Sequence, residues 1–134
     1  MNMGNAMPAK ILALGILLPV LAGLSACGPD KEDRRLSQMI SGDPARGKTA
    51  LYNYGCGSCH TIPGVTGANG LVGPPLAGVG KRWYLAGMLP NTPDNMVAWI
   101  MHPQQINPKT VMPSMKVPED TARDMAAYLY STSK

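Results

Sequence analysis

The sequence predicts an all-α domain, three to five short helices wrapped around a prosthetic group. Segments beginning at Asp43, Thr92 and Pro118 each open on a helix-start signal and continue with apolar residues at helical spacing. No segment shows the period-two alternation of a half-buried strand. The composition is also short of large core side chains: 134 residues hold two Trp, five Tyr and no Phe, beside 15 Gly and 13 Pro. A small chain of that make-up needs a staple, whether disulfides, a metal or a cofactor. One domain is expected at this length. With 45% apolar and only 15% charged residues, a disordered, charge-driven chain is excluded.

Residues 1–26 read as an export signal. Lys10 is the only charge before an apolar run from Ile11 to Leu24, which is short for a membrane span and is weakened by Pro19 and Gly23. Leu24-Ser25-Ala26-Cys27 resembles a bacterial lipobox, which implies an acylated Cys27 as the first mature residue and as the membrane anchor. The competing readings are an uncleaved membrane helix and a disulfide-bonded or buried Cys27. Gly28 at the next position gives no sign of retention in the inner membrane. Residues 27–42 are mixed in charge and poor in apolar content, a lipidated tether in which Leu36, Met39 and Ile40 allow a short helix. The domain proper is 43–134. Its cations are neither clustered nor interleaved with aromatics, so nucleic acid is not an expected partner.

Asp43-Pro44 supplies an N-cap and a proline for the first helical position. Gly47, Ala50, Leu51 and Tyr54 then form one face of a helix that ends at Gly55. Immediately after stands Cys56-Gly57-Ser58-Cys59-His60. A C-x-x-C-H string reads as covalent haem c attachment: two thiols spaced to add to two vinyl groups, then an imidazole able to reach the iron. Small Gly57 and Ser58 are expected to let the backbone pass close to the porphyrin edge. A thioredoxin-type pair would want a βαβ context, and a plain disulfide leaves the adjacent His unexplained. A zinc site of Cys56, Cys59, His60 and His102 lacks two short-spaced ligand pairs.

Residues 62–80, dense in Gly and Pro, form a long irregular loop that a packed haem would support. A short helix is expected near Trp83–Leu89. Thr92-Pro93 opens a helix through Met96, Val97, Ile100 and Met101, and Pro118-Glu119 opens another with Ala122, Met125, Ala126 and Leu129 on one face. Gly47 would let the first and last helices approach near Met125 and Tyr128. The sixth iron ligand could come from Met88, Met96, Met101, Met112, Met115, Met125 or His102. Met96, Met101 and Met125 fall in helical patterns as core fillers. Met112 and Met115 lie in a proline-stiffened loop suited to holding a thioether.

From Asp43 to Ser131 the chain resembles a class I cytochrome c. Pro103, Pro108 and Met112 reproduce that family's Pro-x₄-Pro-x₃-Met loop, which implies Met112 as the axial sulfur, with Met115 the runner-up and His102 behind it. Gly73-Pro74-Pro75-Leu76 resembles the segment whose first proline carbonyl accepts the proximal His Nδ1–H, which assigns Pro74 to His60. Arg82, eight residues after Pro74, matches an arginine that neutralises a haem propionate, against the alternative of a solvated charge. Thr110 and Trp99 match pocket positions, core packing serving equally for Trp99. The run Arg82–Gly87, Asn91-Thr92-Pro93 and Trp99-Ile100 is similar to the cytochrome c domain of caa₃-type oxidase subunit II and its lipid-anchored relatives. No copper-site Cys and His pattern precedes Asp43, so the chain is not expected to be that subunit itself.

The resemblance implies an electron carrier with one haem c, not an enzyme in its own right. It implies a quinol–cytochrome c reductase as donor and a terminal oxidase as acceptor, a dedicated dehydrogenase serving equally. No acid–base or nucleophile–base pair stands apart from the haem residues. Lys48, Lys81, Lys109 and Lys116 are candidates for steering an acidic partner, or ordinary solvated lysines. The rival readings are a haem enzyme or gas sensor with an open sixth site, and a cytochrome subunit of a larger oxidase or dehydrogenase complex.

Overall fold

The structure is a computed structural model and describes residues 41–133. The export signal, Cys27 and nearly all of the tether lie outside the described residues. Asp43 caps α1 (Pro44–Asn53), its carboxylate accepting the N–H groups of Ala45 and Arg46, with Pro44 where a helical N–H would have no partner. The helix stops at Tyr54. Gly55, at φ 68°, turns the chain left-handed into a 3₁₀ turn at Cys56–Ser58.

The first helix packs across the last, and this is the most extensive contact between elements. An added β-carbon at Gly47 would lie 1.9 Å from the Asp124 carbonyl oxygen, so the two backbones touch at the crossing. The contact falls on Asp124 and Met125. Asp124, only 8% exposed, closes it from the side. Its carboxylate accepts Arg46 Nε at 2.7 Å, Arg46 Nη2 at 3.0 Å and the Asp43 N–H at 2.6 Å. Hydrogen bonding from Arg46 holds the Asp124 carboxyl below the usual carboxylate range, against the opposing pull of burial.

Beyond the Cys56 turn, the irregular stretch expected at 62–80 is a loop that also supplies core: Ile62, Val65, Ala68 and Val79 are buried. Its ends are tied down by an isolated bridge between Thr61 and Asn69 and a 3₁₀ turn at Val79–Lys81. Tyr128 donates its hydroxyl to the Pro63 carbonyl at 2.7 Å, and the Gly80 N–H donates to Ser133 Oγ at 2.7 Å.

The helix expected near Trp83–Leu89 is not formed. That segment is an antiparallel hairpin of β1 (Tyr84–Leu85) and β2 (Leu89–Pro90), with Leu85 opposite Leu89. The Met88 N–H donates to the Leu85 carbonyl at 3.0 Å across a turn whose central residues both have positive φ, Ala86 at 50° and Gly87 at 72°. Two successive left-handed residues are the mirror-image turn that matches strand twist and are incompatible with a right-handed helix.

Thr92 caps α2 (Pro93–Met101), accepting the Asn95 N–H at 3.3 Å, and the helix buries Met96, Val97 and Ile100. A single turn, α3 (Pro103–Ile106), follows, then an extended loop to Pro118. Pro118 opens α4 (Glu119–Ser131) without a side-chain cap; Glu119 and Asp120 in its first turn complement the helix dipole instead. Four α-helices among the described residues, with their apolar faces turned inward, agree with the all-α expectation. The small hairpin is the departure from it.

Candidate functional site

Between the Cys56–His60 turn, α2, α4 and the loop after α3 lies a cavity of about 580 Å³. Cys56, Cys59 and His60 stand on one wall, and Met112 and Met115 also line it. The turn is tight: the His60 and Cys59 N–H groups both donate to the Cys56 carbonyl, at 3.0 and 3.3 Å. The two sulfurs are not joined in a disulfide. Burial pushes the Cys56 thiol up.

His60 Nδ1 lies 2.8 Å from the Pro74 carbonyl oxygen. A carbonyl only accepts, so Nδ1 carries the proton of the neutral ring and Nε2 keeps its lone pair free for a metal. Gly73 fixes the ring from its face, because an added β-carbon there would meet His60 Cε1 at 2.3 Å and Nδ1 at 2.6 Å. The Gly73 N–H in turn donates to the Cys59 carbonyl at 2.8 Å. Gly57 serves a different purpose from the one expected. It does not line the cavity; its missing side chain makes room for Ala68, whose Cα would lie 2.6 Å from an added β-carbon.

On the loop after α3, Thr110 Oγ1 accepts the Met112 N–H at 3.2 Å, and Asn107 accepts the N–H groups of Lys109 and Thr110, each at 3.0 Å. Met112 is half-buried and Met115 is 37% exposed. Met96 and Met125 reach the cavity from the core, where they are buried; Met101 packs against the core, and Met88 is exposed on the hairpin. His102 is exposed at the end of α2 and does not line the cavity. No group of three or more His, Cys, Asp or Glu among the described residues is placed to hold a metal ion, so the zinc set with His102 is not assembled.

Trp99, Thr110 and Arg82 all line the cavity. The Arg82 guanidinium donates through Nη2 to the Pro75 carbonyl and, at 3.5 Å, to that of Ala77. Behind it is a cluster that sequence reasoning missed. The Asn91 side-chain amide donates to the carbonyls of Val79 at 2.8 Å and Arg82 at 2.7 Å, and its oxygen accepts the Tyr130 hydroxyl at 2.6 Å. Burial pushes the Tyr130 phenol up to about 12. A buried Tyr needing a partner was the available signal, but the partner lies 39 residues away in sequence.

The donor set fits a covalently held haem: two thiols three positions apart, an adjoining imidazole with Nε2 free, thioethers in the same cavity and apolar walls. The volume lies within the roughly 300–1,000 Å³ of cofactor and ligand sites.

Comparison with known proteins agrees. The family model for cytochrome c matches residues 44–133. Cytochrome c oxidase subunit 2 of Alkalihalophilus pseudofirmus (strain ATCC BAA-2126 / JCM 17055 / OF4) is 32% identical over 84 residues, which is 63% of this chain and 23% of that protein. The chain therefore corresponds to under a quarter of that relative's length. No solved structure gives a match. Its all-α fold, its C-x-x-C-H turn and the match over residues 44–133 make this chain a member of the cytochrome c family, in which electrons are carried on covalently bound haem c.

Proposed function

We propose that this chain is a membrane-anchored, mono-haem c-type cytochrome that passes single electrons within a bacterial respiratory chain. Cys56 and Cys59 would hold haem c through two thioethers, and His60 and Met112 would be the residues that ligate its iron. Haem c bound there supplies the one-electron Fe(III)/Fe(II) couple. The observation that carries the reading is His60 with Nδ1 committed to Pro74 O at 2.8 Å, facing the cavity that Cys56, Cys59 and Met112 line.

The chain's residues divide the work. The Pro74 carbonyl fixes the His60 tautomer and aims Nε2 inward. Thr110 ties down the backbone of Met112, so the thioether is delivered with little freedom left to lose. A neutral sulfur ligand in an apolar cavity favours the reduced state and raises the potential. Arg82 offers a guanidinium at the cavity wall for a propionate. Trp99 and the buried methionines keep water out. Acylated Cys27 holds the domain at the membrane, where a quinol–cytochrome c reductase and a terminal oxidase are the expected partners. The similarity to an oxidase subunit also fits a place in a larger oxidase complex.

A haem-stained denaturing gel of the full chain tests the reading, since only thioether-attached haem survives the detergent. A stained band that is lost when Cys56 and Cys59 are both replaced by Ala is expected; an unstained band contradicts it. Ready CO binding by the ferrous protein would favour the open-site alternative over axial Met112.

A further inference from the structure

The described acids are gathered together and answered by two arginines. Asp43 and Asp124 pair with Arg46, Asp94 and Glu119 pair with Arg123, and Asp120 sits beside Glu119 in the first turn of α4. Between Asp43 and Asp94 the sequence holds no acid at all. Lys48, Lys81, Arg82, Lys109 and Lys116 form no ion pair among the described residues. Two of these cations, Lys81 and Arg82, run directly into the hairpin. There Trp83 is 88% exposed, Tyr84 60% and Met88 51%. Two backbone bonds hold the hairpin, from the Asn91 N–H to the Trp83 carbonyl and from the Met88 N–H to that of Leu85. Exposed indole and phenol rings beside Lys and Arg are the composition of a membrane interface, with the rings at headgroup level and the cations toward anionic phosphates.

We propose that the Lys81–Met88 hairpin docks the domain on anionic lipid of the membrane to which it is anchored. Trp83 enters the interface while Lys81 faces the phosphates. The inference rests on the membrane-anchored reading above. A tether of 15 residues from Gly28 to Gly42 reaches roughly 50 Å when extended, against about 30 Å for the breadth of a domain this size, so any face can reach the lipid. The tether also holds the hairpin at high local concentration, so even a weak lipid contact is populated. Tyr84 and Ala86 line the cavity as well, so docking sets one cavity wall at the membrane surface.

The test is amide hydrogen exchange on the full-length, haem-loaded protein in two kinds of vesicle, phosphatidylcholine alone and phosphatidylcholine with phosphatidylglycerol. Exchange across Lys81–Pro90 should slow only with phosphatidylglycerol, by roughly fivefold for each cation that meets the lipid. The Glu119–Asp124 segment should not respond. Lys81→Glu and Trp83→Ser should each remove most of the slowing and leave the visible spectrum unchanged. Equal exchange in both vesicles overturns the proposal. So does slowing that occurs only when detergent-solubilised oxidase is added without vesicles, which would make the hairpin a protein-docking surface. Mass analysis of the N-terminal peptide decides acylation separately: an unacylated Cys27 refutes the anchor, while the phosphatidylglycerol response still decides the docking face.

Discussion

Replacing Gly73 with Ala puts one methyl group against the proximal histidine. The backbone there is outside the left-handed region, so alanine costs nothing in φ and the whole effect is steric. The new β-carbon would sit 2.3 Å from His60 Cε1, 2.6 Å from Nδ1 and 2.9 Å from Nε2. Ordinary contact needs roughly 1 Å more than the closest of these. The ring cannot yield that distance freely, because Nδ1 is held at 2.8 Å by Pro74 and the Gly73 N–H is bonded to the Cys59 carbonyl. Either the Pro74 bond breaks or Nε2 leaves its direction. Overpacking a tight site costs about 1–3 kcal/mol, and losing one hydrogen bond about 1 kcal/mol more. A loss of about 2 kcal/mol lowers Tm by about 10 °C in a domain of this size. Thermal unfolding followed at the Soret band, with a potentiometric titration of the same sample, reads both consequences. The variant should melt lower and show a shifted reduction potential. Wild-type Tm with an unchanged potential would refute the role given to the Gly73 contact.

Gly47→Ala gains about 1 kcal/mol of helix propensity but drives a methyl into the Asp124 carbonyl; the clash is with backbone, so a net loss of about 2 kcal/mol is expected by chemical denaturation. Asp124 has its folded pKa depressed by Arg46, so its stabilising contribution is full above the unfolded carboxylate pKa and is lost as pH falls through the folded value. Asp124→Asn should therefore lower Tm at neutral pH by several degrees and flatten the decline in Tm below about pH 5. Tyr130→Phe leaves Asn91 Oδ1 without its donor, a cost of about 2 kcal/mol at neutral pH. In the native protein the Tyr130 phenol, raised to about 12, gives stability that is complete below the ordinary tyrosine pKa and disappears as pH climbs toward 12. The Phe variant should lack that part of the alkaline transition in a pH series of melting curves.

Local chemistry explains why α1, α2 and α4 are legible in the sequence. Asp43 and Thr92 each accept N–H groups from the first turn, with a proline directly after, and Gly55 ends the first helix left-handed. The site is legible for the same reason. Cys56, Cys59 and His60 are neighbours in one turn, and the Pro74 and Met112 positions follow from a family spacing. Trp83–Leu89 misleads because its letters are compatible with a helix, and only the left-handed pair Ala86-Gly87 decides for a hairpin. Asn91, Tyr130, Arg46 and Asp124 stay hidden because their partners lie 39 to 78 residues away, and no local pattern encodes such a pairing. The loop's share of the core, Ile62, Val65 and Val79, is likewise set by where the chain returns against α4, with Tyr128 on Pro63 and Ser133 on Gly80.

In the proposed cytochrome, Cys56 and Cys59 hold a haem whose iron is bound by His60 and Met112. Far-red absorption of the oxidised full chain tests it most directly, because a Met sulfur on ferric low-spin iron gives a weak band there. The band should be present in the native protein, absent from Met112→Ala and retained by Met115→Ala. A band lost with Met115 and kept without Met112 would contradict the ligand assignment, and a high-spin spectrum with no such band in the native protein would contradict the account as a whole.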